Sequence, residues 1–192
     1  MREIVLTIAK NYERNQVTVR RVVTGTDGAG KSVFISDGGV PNSHDFETMP
    51  GQAQIRVWFT PGVPSPAIPE AEPTDNNGPV VPGPGGASFV IVSYAPESVV
   101  MSPGFDPAAA GQELAMYAPD LAEVFEPDGM HRTPSVDYGV VLEGEVWLEL
   151  DDGAQVRLTP GDTVVQLAAR HAWRNKTQAP ATVAFVLTGV GA

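Results

Sequence analysis

Proline and glycine recur along this chain too often for long helices to form. Residues 61–86 contain eight of the 18 prolines and five of the 20 glycines. Proline removes a backbone hydrogen-bond donor and fixes φ, while glycine weakens helices and strands alike. The sequence therefore predicts short strands joined by turns, and residues 61–86 are predicted to be loop throughout.

Runs of β-branched and aromatic residues in the first half of the chain predict strands. These runs lie at residues 17–23, 32–36, 54–60 and 88–94. A single short helical segment is predicted at residues 108–125, where Leu114, Leu121 and Phe125 can share one face. Pro119 lies inside this segment and is expected to break it.

The second half of the chain shows the clearest alternation of apolar and polar residues. Residues 145–150 alternate, residues 151–153 read as a turn, and residues 155–158 continue the pattern. Two more strands are predicted at residues 163–165 and 182–187. Short strands with turns about every 8–12 residues are typical of an all-β sandwich or barrel. An all-β protein is therefore the predicted fold class.

Residues 25–32 match the phosphate-binding loop pattern GxxxxGK[ST]. That loop holds phosphates with backbone N–H groups at the start of a helix. Here the next three residues are β-branched or aromatic and favour a strand, and Asp27 and Gly28 are ordinary hairpin-turn residues. The segment is predicted to be the tip of a β-hairpin, and no nucleotide cofactor is expected.

Charge and cysteine content exclude several classes of function. The chain has 12 Lys and Arg against 23 Asp and Glu, a net charge of −11 at pH 7. Neither nucleic acid nor an anionic membrane surface is therefore an expected partner. The sequence contains no cysteine, which excludes disulfides and thiol nucleophiles. The apolar run near the N-terminus ends at Lys10 without a secretory pattern, so a cytoplasmic location is expected.

Two segments that contain histidine resemble the two motifs of the cupin superfamily. Residues 131–144 read HRTPSVDYGVVLEG, and residues 160–175 read PGDTVVQLAARHAWRN. The first family motif is HxHxxxE, followed after six residues by Gly, and the second is PGD, a short strand and HxxxN. In the first motif of this chain, Thr133 replaces the second histidine and Asp137 replaces the glutamate.

This resemblance implies a cupin-type jelly-roll β-barrel in residues 108–192. Residues 1–107 would then form an N-terminal β-rich extension, either a degenerate barrel or a dimerisation arm. Cupin-like barrels commonly pair, and the predicted strands at residues 17–23 and 32–36 would otherwise expose their edges. A homodimer is therefore expected.

In cupins these motif positions usually hold a divalent metal, so the resemblance implies a metal site of His131, Asp137 and His171. Two imidazoles and a carboxylate suit Fe(II), Zn, Mn or Ni. On a regular strand, alternate residues face the same way, so His131 and Asp137 would both point into the barrel. The alternatives are that His131 lines the barrel mouth without a metal, and that Asp137 orients a histidine or accepts hydrogen bonds from a turn.

Further residues near the motifs are candidates for contacting a substrate. Tyr138 and Trp173 could form an apolar pocket wall, and Arg132 could bind a carboxylate if it faces inward. Core packing explains the two aromatic residues equally well, and strand alternation would turn Arg132 outward. Asn175 is expected to hold a turn, and His44 is expected to lie in an exposed loop.

The predicted function is that of a small-molecule enzyme with its site inside the barrel. In this hypothesis, His171 or His131 moves a proton while Asp137 orients or coordinates, by acid–base or metal-assisted chemistry. The reaction would be that of a lyase, dehydratase or isomerase. The alternatives are an Fe(II)-dependent cupin dioxygenase and a non-catalytic cupin that binds a small ligand.

Overall fold

A computed structural model describes residues 18–191, so the first residue of the strand predicted at 17–23 and the apolar run before Lys10 lie outside the described residues. The described chain is mostly β-structure. Its strands are β1 (Arg20–Thr26), β2 (Ser32–Gly39), β3 (Ser43–Asp45), β4 (Ala53–Thr60), β5 (Ala87–Tyr94), β6 (Ser135–Glu143), β7 (Val146–Glu149), β8 (Gln155–Leu158), β9 (Thr163–Leu167), β10 (Ala172–Arg174) and β11 (Ala181–Gly189). Its α-helices are short: α1 (Glu97–Val100), α2 (Pro107–Tyr117) and α3 (Pro119–Ala122). Between residues 18 and 191, no helix is long and apolar enough to cross a lipid bilayer.

Two antiparallel sheets enclose the main hydrophobic core. The larger sheet has the strand order β3-β4-β5-β11-β6-β9, and the smaller has the order β10-β7-β8. Val183 and Phe185 of β11 belong to the same buried cluster as Val146 and Leu148 of β7. Side chains from both sheets therefore fill one core. The predictions of an all-β fold and of a jelly-roll barrel are confirmed.

The glycine of the first motif lies at a point where a side chain would not fit. Gly144 has φ of 72°, and a Cβ at this position would lie 2.8 Å from the Cβ of Ala181. Only glycine adopts this left-handed conformation without strain and without that contact. The motif glycine thus lets the chain turn from β6 into β7 against the start of β11.

The proline- and glycine-rich segment contains neither helix nor strand over residues 61–86, as predicted. It is nevertheless fixed to the rest of the protein. Arg56 of β4 donates hydrogen bonds to the carbonyl oxygens of Gly78 (2.8 Å) and Pro79 (3.1 Å), and Val80 is buried in the main core. The loop connects β4 to β5, which are neighbours in the larger sheet.

The larger sheet contains strands from both sides of the division predicted between residues 107 and 108. β5 pairs with β11 over the whole length from Ala87–Thr188 to Tyr94–Ala181. β3 and β4 extend the same sheet beyond β5. Whether residues 1–107 act as a degenerate barrel or a dimerisation arm stays a prediction.

The phosphate-loop pattern lies in a β-hairpin. β1 and β2 pair with each other, and residues 27–31 form the turn between them. The side chain of Asp27 accepts hydrogen bonds from the N–H groups of Ala29 and Lys31, both at 2.9 Å, and Gly30 has φ of 80°. The prediction of a hairpin tip is confirmed, because the chain leaves this turn as a strand and not as a helix.

The helix predicted at residues 108–125 forms as two helices. α2 ends at Tyr117 and α3 begins at Pro119, since proline has no N–H to continue the preceding helix. Asp106 caps α2 by accepting a hydrogen bond from the N–H of Ala108 at 2.9 Å. The predicted break is confirmed, whereas the short helix α1 was not predicted.

The prediction that His44 lies in an exposed loop is wrong. His44 belongs to β3, and its side chain is only 17% exposed. Its Nε2 lies 2.8 Å from Oε1 of Glu113, and its ring stacks on Tyr117 with centroids 3.4 Å apart. Both partners come from α2, about 70 residues later in the chain, so the residues next to His44 in the sequence do not indicate these contacts.

Candidate functional site

The inner face of β6 and of the segment before it carries a row of buried polar residues. From residue 131 to residue 141, every odd-numbered residue is buried and every even-numbered one is half-buried or exposed. The polar members of the buried set are His131, Thr133, Ser135 and Asp137. This is the strand alternation that the sequence predicts, and it places His131 and Asp137 on one face.

His131 and His171 bring the two sequence motifs together. Each donates a backbone hydrogen bond to the carbonyl oxygen of the other, at 2.8 and 2.9 Å. The two residues form an isolated antiparallel bridge, and their ring centroids lie 4.2 Å apart. Phe125, in the segment after α3, stacks on the His131 ring at 4.1 Å. The bridge fixes both imidazoles at the same end of the barrel interior.

Both imidazoles are anchored through Nδ1. Nδ1 of His171 lies 2.9 Å from the carbonyl oxygen of Ala169, and Nδ1 of His131 lies 3.3 Å from that of Gly129. A carbonyl oxygen can only accept, so in each neutral ring the hydrogen is on Nδ1. Each Nε2 therefore carries a free lone pair that can accept a proton.

The environment of the two rings keeps them neutral. Burial and, to a smaller extent, the neighbouring His171 ring lower the pKa of His131 to about 4, although the hydrogen bond to Gly129 opposes the shift. Burial also lowers the pKa of His171, against the opposing hydrogen bond to Ala169. At neutral pH both residues are therefore uncharged bases.

Asp137 lies farther along the same row, held by two hydroxyl groups. Ser135 donates a hydrogen bond to one of its carboxylate oxygens at 2.6 Å, and Thr133 lies 3.4 Å from the other. Burial raises the pKa of Asp137, and the hydrogen bonds from Ser135 and Thr133 only partly offset this effect. The residue is thus a buried carboxyl group whose proton affinity is above its ordinary value.

Aromatic rings form one wall of the same interior. Trp173 of β10 lies edge-on to His171, with centroids 6.3 Å apart, and edge-on to Phe185 at 5.2 Å. It also stacks on Tyr94 of β5 at 5.9 Å. Trp173 therefore occupies the position that the sequence predicts for a pocket wall, although it packs with the core as well.

Two residues of this interior were not predicted from the sequence. Gln166 lies directly opposite Asp137 on β9, is buried, and has an Nε2 without a hydrogen-bond partner within the described residues. Burial raises the pKa of the Tyr94 hydroxyl, and the nearby charge of Asp137 adds to this effect. In the sequence, Gln166 could have been recognised only as a polar residue next to the apolar residues of β9.

The other candidate substrate contacts lie on the outside. Tyr138 is 52% exposed, and Arg132 is exposed as well, because both are even-numbered neighbours of inward-facing residues. Arg170 also points away from the barrel interior and pairs with Glu126 and Asp151. The structure therefore does not bring Tyr138 or Arg132 to the two histidines.

Asn175 holds a turn, as predicted. Its Nδ2 donates to the carbonyl oxygens of Tyr94 and Ala179, both at 2.8 Å, and its Oδ1 accepts from the N–H and hydroxyl groups of Thr177. All of its hydrogen-bonding capacity is used within the protein. The asparagine of the second motif thus fixes the chain between β10 and β11.

The donor atoms do not form a metal site in this arrangement. The two histidines have the tautomer that a metal ligand needs, with Nε2 free and Nδ1 held by a carbonyl group. However, residues 18–191 contain no group of three or more His, Cys, Asp or Glu side chains placed to hold a metal ion. Hydroxyl groups approach both oxygens of Asp137, and Thr133 stands at the position of the missing imidazole. This donor set therefore does not fit a resident metal ion.

One known protein family matches the part of the chain that contains the candidate site. The family described as Cupin domain (Cupin_2) matches residues 123–187. These residues form a cupin domain. The domain includes both bridged histidines and the whole inner row of β6, so the candidate site belongs to the cupin domain.

Several curated fungal proteins are similar to part of this chain. Phomopsin biosynthesis cluster protein C' of Diaporthe leptostromiformis is 54% identical over 48 residues, which is 25% of each chain. The cupin-domain-containing oxidoreductase fogC of Aspergillus ruber is 44% identical over 61 residues, which is 30% of each chain. Each of these matches spans less than a third of the relative's length.

Solved structures also resemble the chain, at low similarity. The Cupin_2 domain of an XRE family transcriptional regulator from Enterobacter cloacae has a TM-score of 0.32 and 15% identity, over 53% of this chain and 80% of that one. A putative ethanolamine utilization protein Q from Salmonella typhimurium has a TM-score of 0.41 and 9% identity, over 92% of this chain and 100% of that one.

Proposed function

We propose that the cupin domain catalyses proton transfer on a small oxygenated organic molecule, as a lyase, dehydratase or isomerase. The observation that carries this proposal is the pair of neutral imidazoles, His131 and His171, each with a free Nε2 and with ring centroids 4.2 Å apart. The aromatic wall around Trp173 would hold the apolar part of such a molecule.

The chemistry needs no oxidant. One Nε2 accepts a proton from a carbon next to a carbonyl group, and the resulting imidazolium is a strong acid because burial disfavours its charge. The proton then returns to a neighbouring carbon in an isomerisation, or leaves with a hydroxyl group as water in a dehydration. Asp137, with its raised pKa, is a second group that can exchange a proton in the same interior.

A second candidate is an oxidoreductase, including the predicted Fe(II)-dependent dioxygenase. It is favoured by the names of relatives such as the cupin-domain-containing oxidoreductase virC of Hypocrea virens, 50% identical over 48 residues. A metal-assisted reaction would require the two free Nε2 atoms to acquire a third ligand. A third candidate is a domain that binds a small ligand without converting it.

Hydrogen exchange into small carbonyl and hydroxy compounds distinguishes these functions. Purified protein in D2O is incubated with a panel of such compounds, and deuterium incorporation and oxygen uptake are measured. The proposal expects deuterium at the carbon next to a carbonyl, with no oxygen uptake, and a loss of about 10²-fold or more in His171→Gln. His44→Gln is the matched control, because His44 lies outside the barrel interior, on β3, and contacts Glu113.

Oxygen uptake that depends on added Fe(II) would contradict the proposal and support the oxidoreductase. Saturable binding of a panel compound without exchange or uptake would support the binding protein. Equal deuterium incorporation by wild type and His171→Gln would show that His171 does not take part in the reaction.

A further inference from the structure

The side-chain amide of Gln166 is a buried hydrogen-bond donor that no described protein atom uses. Gln166 is 5% exposed, and its Nε2 has no hydrogen-bond partner within residues 18–191. In that part of the chain, only two other buried side-chain atoms lack a partner, and both are oxygens, on Asn76 and Asp120. Because an unpaired buried donor costs stability, its presence indicates that a bound molecule supplies the acceptor.

Strand pairing places this amide beside the carboxyl group of the candidate site. Gln166 of β9 lies directly opposite Asp137 of β6, and such residues project from the same face of a sheet with Cβ atoms about 5 Å apart. The neighbours of Gln166 on β9, Val165 and Leu167, are 61% and 71% exposed, so Gln166 itself points inward. The amide therefore extends the buried polar row that begins at His131.

A bend in the chain before β6 brings the ends of this row together. Oγ1 of Thr133 lies 3.4 Å from Oδ2 of Asp137, whereas four residues of extended strand span about 13 Å. Thr133 is in turn two residues from His131, a separation of about 7 Å along an extended chain. The bend therefore gathers the histidines, Asp137 and Gln166 around one part of the barrel interior.

No unpaired positive charge faces this part of the interior within residues 18–191. Arg132 is exposed, and Arg170 and Arg174 are each paired with carboxylates. Arg56 lies three strands away from β6, on β4, and donates to three backbone carbonyl groups. An anion buried beside Asp137 would have no counter-charge, which is strongly unfavourable. The interior therefore suits an uncharged molecule.

We propose that Gln166 binds the substrate, and that its Nε2 donates a hydrogen bond to the carbonyl oxygen of an uncharged carbonyl compound. This inference rests on the proposed function, in which an imidazole Nε2 takes a proton from the carbon next to that carbonyl group. The C–H bond breaks, its electron pair forms a C=C bond, and the C=O pair moves onto the oxygen. Gln166 then stabilises the resulting enolate oxygen until the imidazolium returns the proton to carbon.

NMR of side-chain amides tests this contact without turnover. In protein labelled with ¹⁵N-glutamine, the signals of the Gln166 amide are assigned by their loss in Gln166→Leu. Small ketones are titrated, each alongside a carboxylate and a hydrocarbon of the same shape, such as acetophenone with benzoate and α-methylstyrene. A ketone should move the Gln166 amide protons downfield in a saturable way, and its two analogues should not. The absence of such a shift with every ketone, or an equal shift with the carboxylates, would overturn the proposal.

Substitution distinguishes a donor that serves a ligand from one that supports the fold. Gln166→Leu keeps the side-chain volume and removes the amide, so ketone affinity should fall by about tenfold or more. The midpoint of thermal unfolding should stay unchanged or rise by about 2–4 °C, because an unpaired buried donor is lost. Gln112→Leu, at an exposed position of α2, is the matched control and should change neither quantity. Unchanged ketone affinity, or a midpoint lowered by more than about 4 °C, would overturn the proposal.

Deuterium exchange separates this inference from the proposed function. Exchange into the bound ketone should fall by about 10²-fold in Gln166→Leu, since one donor to the enolate oxygen is removed. If exchange depends on His171 but is equal in wild type and Gln166→Leu, the proposed function stands and this inference is overturned. If ketones bind at Gln166 but exchange into them does not depend on His171, the proposed function fails, and the hydrogen bond from Gln166 to the carbonyl oxygen is supported.

Discussion

His131 and His171 exchange both of their backbone hydrogen bonds, so the two motif histidines are joined to each other by an isolated β-bridge. Because the backbone holds this contact, the position of each ring does not depend on a side-chain ligand between them. Nδ1 of each ring is then anchored on the carbonyl group two residues earlier. The backbone bridge therefore sets the position of the two imidazoles, and the carbonyl groups of Gly129 and Ala169 set their tautomer.

Replacing Thr133 by histidine should create a metal site. Thr133 lies on the buried row between His131 and Ser135, so Thr133→His adds a third imidazole at the position where the cupin motif has one. Wild-type protein should bind Zn²⁺ or Ni²⁺ weakly in isothermal titration calorimetry, and the variant about tenfold more tightly or better. Arg132→His is the control, because residue 132 faces outward. Tight stoichiometric binding by wild type would show that the metal site predicted from the sequence does form.

Removing the hydroxyl group of Ser135 should destabilise the protein. Ser135 is fully buried and donates to Asp137 at 2.6 Å, so Ser135→Ala leaves a buried carboxyl group with a lost hydrogen bond. The free energy of unfolding should fall by about 1–3 kcal/mol in urea denaturation. Ser36→Ala, on the exposed strand β2, should change it by less than about 0.5 kcal/mol. Equal effects of the two substitutions would be inconsistent with a hydroxyl that supports Asp137.

Acid should weaken the contact between β3 and α2. Burial raises the pKa of Glu113, but four hydrogen bonds outweigh this effect and lower the pKa to about 2. The donors are the hydroxyl and the N–H group of Thr48, the N–H group of Glu47 and the ring of His44. The stabilisation of the folded state by the Glu113 carboxylate is therefore complete above pH 4.5 and is lost as the pH falls toward 2. Glu113→Gln should lower the free energy of unfolding at pH 7 by about 1–3 kcal/mol and should reduce its dependence on pH in this range. An unchanged pH dependence in the variant would contradict this role for Glu113.

The sequence predicts the C-terminal strands well because their patterns are local. Residues 155–158 form β8 as predicted, and residues 145–150 and 182–187 lie in or beside β7 and β11. Each of these segments alternates or is β-branched, and the turn after β7 contains Gly153 with a positive φ. The inward direction of His131 and Asp137 follows from the same period of two residues.

Contacts between distant segments could not be predicted in this way. Nothing near residue 44 indicates that Glu113 and Tyr117 would enclose His44, and nothing near residue 94 indicates that Tyr94 would lie beside Trp173. The surroundings of Asp137 could not be predicted for a related reason. Motif spacing indicates that Asp137 points inward, but not that hydroxyl groups near it in the chain approach both of its oxygens.

The lowered pKa values of the two buried histidines also have a consequence for stability. The unfolded chain protonates its histidines near pH 6.5, whereas folded His131 does so only near pH 4. The unfolded state therefore binds more protons between these values, and the folded state loses stability as the pH falls from 6.5 toward 4. This loss should be smaller in His131→Gln than in wild type, as measured by thermal unfolding over that range. An identical pH dependence in the two proteins would show that His131 is not a buried neutral base.

Nitrogen NMR of the three histidines can determine directly whether both rings of the site are neutral bases. Protein labelled with ¹⁵N-histidine gives imidazole signals for His44, His131 and His171, which are assigned with single His→Gln variants. At pH 7, His131 and His171 should both be neutral, with the hydrogen on Nδ1 and an unprotonated Nε2, and His131 should titrate with a midpoint near pH 4. An imidazolium ring at pH 7, or a hydrogen on Nε2, at either residue would contradict the assignment of these two histidines as the proton acceptors of the site.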